Sequence, residues 1–395
     1  MSNCLLDPIF YKRRMDLANK YPAISDLRRK ARRRIPHFMW EYLDSGTGDE
    51  LGDQRNRDGL ANVHLKTTIL GGEVTHDLRT DFLGMTFDAP FGIAPLGMSG
   101  AIWPGAESAL ACLAKSANIP YTMSTMATRT PEDIAHQFGE NGWFQLYPPG
   151  EMDVLDDMLA RARAAGFRAL VLTVDVPAQS RRERQVRSGL TNPPSITLRT
   201  LAHVAQCPAW AIGTLRHGMP GMPIITKYSK VPQKGPLPSN AHIGYLLRVP
   251  PDWDYLARLR DKWDGPLIIK GVLEPDDAVR LQNTGADAVW ISNHAARQFD
   301  GSRAAITHVA PIRAAVGPDF PLLFDSGVMG GLDILRAIAL GADFVMLGKA
   351  FHYGLGALGT RGADHVVDVL RADLMANMGQ MGIERPTQAP GCLIA

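Results

Sequence analysis

Between residues 91 and 350 the chain repeats one pattern: a short apolar run, a polar or glycine-rich corner, then a stretch with apolar residues three and four apart. The short runs have the length of buried strands, and the three-to-four spacing is that of a helix with one buried face. The runs predict strands at Phe91–Leu96, Pro120–Thr125, Trp143–Tyr147, Ala169–Asp175, Pro266–Val272, Ala288–Asn293, Pro321–Phe324 and Phe344–Leu347. The spacing predicts helices over Gly105–Ser116, Met152–Ala165, Glu274–Thr284, Ala304–Ala315 and Gly331–Leu340. Eight strands alternating with helices close most simply into a (β/α)8 TIM barrel, an α/β fold. An open doubly wound sheet ranks below it, because no glycine fingerprint follows the first strand.

Three segments fall outside the repeat. Residues 1–85 precede the first strand, and within them Pro22–Tyr42 carries Leu27, Ile35, Phe38 and Met39, enough to seat one or two helices against the barrel. Residues Arg181–Pro251 interrupt the fourth unit; from Arg184 onward they hold ten prolines, eight basic residues and no acidic one. Such a segment is too long for a plain connection, and it leaves the carboxyl end of a strand, where barrels carry their sites. It reads as a lid or a docking surface. Ala363–Gly379 has helical spacing and is expected on the barrel bottom or against a neighbouring molecule. The 395 residues are therefore read as one domain, with the barrel at about 86–352 and the insertion at about 181–251.

Composition narrows the partners. With 45% apolar and 21% charged residues and a net charge of +2, the chain is ordinary globular protein with no general attraction to nucleic acid or membrane. Six cations crowd Arg28–Arg34, but the run lacks interleaved aromatics and reads as a solvated helix face, with no nucleic-acid partner expected. Cys4, Cys112, Cys207 and Cys392 lie far apart, which indicates neither a disulfide framework nor a metal site. No run approaches the ~18 apolar residues of a spanning helix, and no signal-peptide pattern opens the chain, so a cytoplasmic location is expected.

In a barrel, chemistry belongs at the carboxyl ends of the strands, and here those ends are polar. They read Pro95-Leu96-Gly97, Ser124-Thr125, Gln145-Leu146-Tyr147, Thr173-Val174-Asp175, Lys270-Gly271, and Ser292-Asn293-His294-Ala295-Ala296-Arg297. A lone strand-end histidine is more often structural. His294 in the company of Arg297, Lys270, Tyr147 and Asp175, however, supplies a base, a carboxylate clamp and an orienting group that can converge on one small anion. Strands seven and eight end in Asp325-Ser326-Gly327 and Gly348-Lys349. Tight turns alone explain the glycines, but loops at these positions commonly bind phosphate, and Lys270 can face an anionic ring, so a phosphate-bearing cofactor accounts for more.

These residues resemble the FMN-dependent α-hydroxy acid dehydrogenase and oxidase family. The most specific piece is Ser292-Asn293-His294-x-x-Arg297-Gln298-x-Asp300-Gly301, supported by Phe144–Tyr147, Leu172–Asp175, Ile269–Gly271 and Tyr42–Gly46. The resemblance implies FMN as cofactor and oxidation of an (S)-2-hydroxy acid to the 2-oxo acid. By the same resemblance His294 is the base, Asp175 stabilises its imidazolium, and Arg182 and Arg297 hold the substrate carboxylate. Tyr42 and Tyr147 add hydrogen bonds, and Lys270 neutralises charge at the flavin N1–C2 edge. Pro95, Leu96, Gly97, Ser124, Gln145, Thr173 and Ser292 line the flavin, while Asp325, Ser326, Gly327, Gly348 and Lys349 lie toward the ribityl and phosphate end.

The chain departs from the family pattern at Met329 and Lys349, where arginines are usual, at Met126 in place of a bulky tryptophan, and at Ala295 and Ala296, where glycine is frequent. Small Gly97 beside the expected flavin N5 favours a dehydrogenase, with quinone or another acceptor taking the electrons; an O2-using oxidase, a different FMN barrel enzyme and a catalytically silent binding barrel remain as alternatives. The basic insertion at 184–251, with Trp210, Ile212, Leu215, Met219, Met222 and Ile224, resembles the region that docks membrane-bound relatives. It therefore suits either peripheral contact with the inner face of the membrane or a soluble lid. The resemblance also implies a homotetramer.

Overall fold

The computed structural model describes residues 16–192, 195, 197–229, 237–238 and 248–394. Cys4 and the remaining parts of the expected 181–251 insertion lie outside the described residues. In chain order the strands are β1 (Thr80–Phe82), β2 (Met85–Phe87), β3 (Phe91–Ile93), β4 (Tyr121–Ser124), β5 (Gly142–Leu146), β6 (Ala169–Thr173), β7 (Thr191–Asn192), β8 (Leu237–Pro238), β9 (Leu267–Val272), β10 (Ala288–Ile291), β11 (Leu322–Phe324) and β12 (Phe344–Leu347). Eight of them close into a barrel in the order β10-β11-β12-β3-β4-β5-β6-β9, every neighbouring pair parallel. The fold is a (β/α)8 barrel.

The expected strands are all present: Phe344–Leu347 has its expected bounds, β5 lies one residue earlier, and the others are trimmed. Pro120, Pro266 and Pro321 fall just outside, since proline has no N–H for the ladder, yet their carbonyls accept from Ile93, Leu170 and Val289 and open each strand. At the carboxyl ends β3, β4, β5, β6 and β10 stop short of Leu96, Thr125, Tyr147, Asp175 and Asn293, where the chain leaves the ladder to form the mouth. The stretch Ala304–Ala315 begins as a 3-10 turn, Ala305–His308, before the helix Val309–Val316, because Pro311 in the first helical turn has no N–H to give.

Inside the barrel, Trp143, Val171, Ile268, Trp290, Leu323 and Phe344 pack into one cluster that is closed from below by Phe82 and Phe87 of the β1–β2 hairpin. Phe344 lies 5.3 Å from Phe82 and 5.4 Å from Phe87, ring centre to ring centre. The bottom is thus covered by this hairpin and not by the C-terminal helix, for which the bottom was one of two expected places. That helix, Thr360–Met381, lies along the outer helices Lys349–Leu358, Gly331–Ala339 and Ala106–Ala117, because its buried stripe of Val366, Leu370, Leu374 and Met378 matches an apolar wall.

The segment before the barrel forms helices Ile24–Ala31, His37–Asp44 and Leu51–Ala61. Ile24, Leu27 and Ala31 are buried as their spacing requires. The basic run of this segment is largely solvated, as expected, with Arg28, Arg29, Arg32 and Arg33 exposed, but three of its cations also meet aromatic rings. Arg28 pairs with Asp44 at 2.7 Å and lies over the Trp40 and Tyr353 rings, Lys30 lies over Tyr21, and Arg34 lies over Trp103. A helix narrow enough to bury three residues brings its flanking cations against neighbouring aromatics, and this no local charge count reveals.

The insertion, too, sorts its apolar residues differently from the expectation. Trp210, Met222 and Ile224 are buried, with the Trp210 indole N–H donating to the Ala101 carbonyl at 3.0 Å. Ile212, Leu215 and Met219 remain exposed, joined by Leu198 and Leu201. Among the described residues no helix is long and apolar enough to cross a membrane.

Candidate active site

The strand ends surround a cavity of about 430 Å³. All of the expected site residues line it except Asp175 and Ser292, which stand directly behind His294 and Lys270.

His294 follows β10, and its Nδ1 lies 3.0 and 3.2 Å from the two carboxylate oxygens of Asp175 beyond β6. Nδ1 is therefore held by the carboxylate, which leaves Nε2 to act. Asp175 can come this close because Gly271 has no side chain: a Cβ there, at φ +107°, would sit 2.4 Å from the Asp175 Cβ. Burial alone pushes the Asp175 carboxyl up, but His294 and then Lys270 hold it below its usual 3.8. Burial also pushes the His294 imidazole below its usual 6.5; Asp175 offsets part of that, while Lys270 and Arg182 add to it.

The backbone around His294 is unusual. His294, Ala295 and Ala296 have φ values of 56°, 52° and 55°, three successive left-handed residues with none a glycine. Side chains on other elements hold them there. Asn293 and Asn56 exchange amide hydrogen bonds of 2.7 and 2.9 Å, the Asn293 side-chain oxygen accepts from Ala296 N–H at 3.1 Å, and the Ser326 hydroxyl accepts from the N–H of Asn293 and of Ala295, each at 3.2 Å. Glycine at 295 relieves the left-handed strain with no buried side chain to lose, so Ala295→Gly is expected to stabilise the fold by about 1 kcal/mol. A thermal unfolding midpoint that stays level or falls in this variant would show that the loop stores no strain.

Behind the histidine a second network is buried. The Lys270 ammonium donates to the Ser292 hydroxyl at 2.7 Å and lies 2.9 Å from Asp325, Ser292 donates to Asp325 at 2.6 Å, and His294 N–H donates to Ser292 at 3.0 Å. Arg182, on the loop after β6, donates from Nε to Ser180 at 3.0 Å. Arg297 donates to the Leu43 carbonyl at 3.2 Å and lies 5.1 Å from the Tyr42 ring centre. The Tyr42 hydroxyl reaches the Gly97 carbonyl at 2.9 Å. Two buried cavity atoms, Gln145 Nε2 and Thr173 Oγ1, have no hydrogen-bond partner among the described residues, a cost that a polar ligand edge would remove.

The far end of the cavity carries Lys349, whose Nζ donates to the Asp44 carbonyl at 3.1 Å and lies 3.6 Å from Asp53. The loop after β11, expected with Gly348 and Lys349 to lie at the phosphate end, offers fewer open backbone amides than a bare helix N-terminus. The N–H of Met329 donates to Asp333, and those of Gly331 and Leu332 donate to Asp373, so these carboxylates already occupy that helix N-terminus. Sequence reasoning also missed Arg28, Glu50, Asp53, Arg57, Arg184 and Arg248 on the cavity wall. Each belongs to a helix or loop far from the strand-end motifs, and no spacing rule flags them.

Residues 31–394 match the model of the FMN-dependent dehydrogenase family. An L-lactate dehydrogenase of Vibrio cholerae is 35% identical over 364 residues, 91% of this chain and 95% of the relative. An (S)-mandelate dehydrogenase of Pseudomonas putida is 34% identical over 361 residues, 91% and 90% of the two chains. The crystal structure of a monotopic membrane protein, (S)-mandelate dehydrogenase, superposes with a TM-score of 0.88 at 34% identity, covering 94% of this chain and 98% of that one. With these matches over nearly its full length, the chain belongs to the FMN-dependent dehydrogenase family and is an FMN-using oxidoreductase that acts on the CH–OH group of 2-hydroxy acids.

Proposed function

We propose that this protein oxidises an (S)-2-hydroxy acid to the 2-oxo acid with His294 as the base and passes the electrons to a membrane quinone. The observation that carries this reading is the His294–Asp175 pair at 3.0 Å in a cavity shared with Arg182 and Arg297.

The residues present fit FMN. The unpartnered Gln145 Nε2 and Thr173 Oγ1 match the carbonyl and N–H groups of a flavin pyrimidine edge. Pro95, Leu96, Gly97 and Ser124 give a small-residue wall for a planar ring, and a Cβ on Gly97 would fall 2.9 Å from the Met126 Cβ. Lys270, fixed by Ser292 and Asp325, would lie against the ring edge that gains negative charge. Lys349, with Ser326, Gly327 and Gly348 beside it, would hold the phosphate end. FMN supplies the two-electron acceptor.

In this reading the chain's own groups bind and deprotonate. Arg182 and Arg297 grip the substrate carboxylate, since two guanidinium forks match its oxygens and fix which face of the α-carbon is presented. Tyr42 and Tyr147 donate to the carboxylate and hydroxyl. His294 Nε2 takes the proton, from the hydroxyl or from the α-carbon; both routes need the same neutral imidazole in the same place. Asp175 stabilises the imidazolium that forms.

The depressed imidazole sets the pH dependence. Because burial holds His294 below 6.5, the base is already deprotonated at pH 7. The rate constant for flavin reduction is therefore expected to be level above about pH 7 and to fall only at lower pH, as Nε2 becomes protonated. Stopped-flow traces from pH 5 to 9 check this, and a rate that keeps climbing through pH 8 would contradict a neutral histidine.

Support for a membrane acceptor comes from the exposed Leu198, Leu201, Ile212, Leu215 and Met219 beside exposed Arg199 and Arg216, an apolar and cationic face suited to anionic lipid. The exposed Ile69 and Leu70 suit burial between copies in a homotetramer. The whole reading is tested by adding (S)-2-hydroxy acids to the yellow protein without oxygen and following flavin absorbance, then reoxidising with a short-chain quinone or with O2. Bleaching and fast quinone reoxidation are expected. No bleaching by lactate, glycolate, mandelate, malate or longer acids would sink the substrate class, and fast reoxidation by O2 alone would make the protein an oxidase.

A further inference from the structure

A phosphate monoester carries about two negative charges at neutral pH, and Lys349 supplies one cation against them. Three arginines of the cavity wall stand one aspartate away from Lys349: Arg28 and Arg184 through Asp44, and Arg57 through Asp53. Two of them are committed. Arg28 grips Asp44 with Nε at 2.7 Å and Nη2 at 3.0 Å, and Arg184 divides its fork among Glu41, Glu50 and Asp44 at 2.6, 2.8 and 3.4 Å. Arg57 differs. Among the described residues its guanidinium meets only Asp53 and Gln54, one turn or less away on its own helix, and its side chain is half exposed. A one-turn ion pair on an exposed helix face is among the weakest in proteins.

Asp53 joins this arginine to the lysine. One of its carboxylate oxygens accepts from Arg57, and the other lies 3.6 Å from Lys349 Nζ. The helix that carries both residues, Leu51–Ala61, is seated against the loop after β11: a Cβ on Gly327, at φ +92°, would fall 3.0 Å from the Asn56 Cβ. Burial pushes the Lys349 ammonium below its usual 10.5, and Asp53 is the strongest of the charges that oppose this, so the carboxylate marks a place where negative charge is favoured. Phosphate oxygens are spaced nearly as carboxylate oxygens are, so two cations that share Asp53 are placed to share a phosphate. We propose that Arg57 and Lys349 together hold the cofactor's phosphate, and that Asp53 is the anion this phosphate displaces. The proposal rests on the placement of FMN above, with its phosphate at Lys349. The exchange brings a dianion to both cations where a monoanion stood, while Asp53 turns toward the solvent to which it is already partly open. It also carries a sign: removing the charge of the competing aspartate strengthens the site, and removing that of the arginine weakens it.

The test titrates the full-length protein, freed of flavin, with FMN and with riboflavin, which has the same ring and side chain without the phosphate, and follows the quenching of flavin fluorescence. Arg57→Gln is expected to weaken FMN by roughly 10- to 30-fold, the range of a lost charge-assisted hydrogen bond. Asp53→Asn is expected to tighten FMN by roughly 3- to 10-fold, and both variants to leave riboflavin within about twofold. Added salt should weaken FMN less in Arg57→Gln than in the unaltered protein. The rate at which FMN leaves the loaded protein on dilution repeats the comparison for any variant that does not survive removal of the flavin. An Arg57→Gln variant that holds FMN as tightly as the unaltered protein, or that weakens FMN and riboflavin alike as a purely structural residue does, overturns the proposal. So does an Asp53→Asn variant that fails to tighten FMN. Lys349→Gln checks the placement: unchanged FMN affinity there would move the phosphate end away from Lys349 and overturn that reading together with the proposal, whereas a weakened Lys349→Gln beside an unchanged Arg57→Gln overturns the proposal alone.

Discussion

Anaerobic flavin reduction in a His294→Ala variant is expected to fall by about 10³ to 10⁴-fold, the usual worth of a positioned general base, while the protein stays yellow. The loss is large because the group left behind the vacated position cannot replace the imidazole. Asp175 stands behind the ring and does not line the cavity, so its carboxylate is one side chain short of the alcohol or the α-carbon. Retention of the flavin follows from placement: Gln145, Thr173, Lys270 and Lys349 lie on other elements and keep their contacts. Asp175→Asn separates the two halves of the pair, since the ring keeps a hydrogen-bond partner and loses the charge that stabilises its protonated form. It should therefore fall between the unaltered protein and His294→Ala. Stopped-flow absorbance with saturating substrate measures both, and a His294→Ala rate within tenfold of the original would remove the base from His294.

Lys270→Met is expected to lower the reduction rate by about 10² to 10³-fold, in the range of losing one preorganised charge from a water-excluded site. It should also destabilise the protein by about 3–5 kcal/mol, because Asp325 is left buried without its cation. The two effects have different causes and can be separated. Adding Asp325→Asn to Lys270→Met removes the orphaned carboxylate, so the double variant should recover most of the thermal midpoint and none of the rate. If the double variant recovered the rate as well, Lys270 would be a structural ion-pair partner and no more. Ser292 receives the ammonium at 2.7 Å and passes a hydrogen bond to Asp325 at 2.6 Å, so Ser292→Ala should shift both quantities in the same direction and by less.

Much of this was legible in the residues because barrel architecture converts local pattern into position. An apolar run of four to seven residues marks a strand, and the polar residue that follows it must sit at the mouth; that rule alone brought Lys270, His294, Tyr147 and Thr173 to one cavity. What stayed hidden depends on contacts between distant segments. Asn56 pairs with Asn293 across 237 positions, and neither residue has a spacing that announces the other. Arg248 reaches the cavity only because the insertion returns along β5. The cations at 28–34 looked alike in sequence, yet Arg28 meets a buried carboxylate while Arg29 stays largely exposed with only Asp26 beside it. Gly327 marked a phosphate loop in sequence, yet no spacing shows that Asp333 and Asp373 accept from the Met329, Gly331 and Leu332 N–H groups that follow it.

The aromatic floor has a consequence for how the molecule is made. Phe82 and Phe87 leave the ribosome early, and Phe344, against which they stack, is among the last strand residues to emerge. Until then the hairpin has no partner, and the barrel has neither floor nor closing seam, since β12 joins β11 to β3. Pairing of this kind is slow, because a long chain must be looped before the contact is gained. Nascent chains cut before residue 344 should accordingly expose a sticky apolar face and be the species most dependent on chaperones.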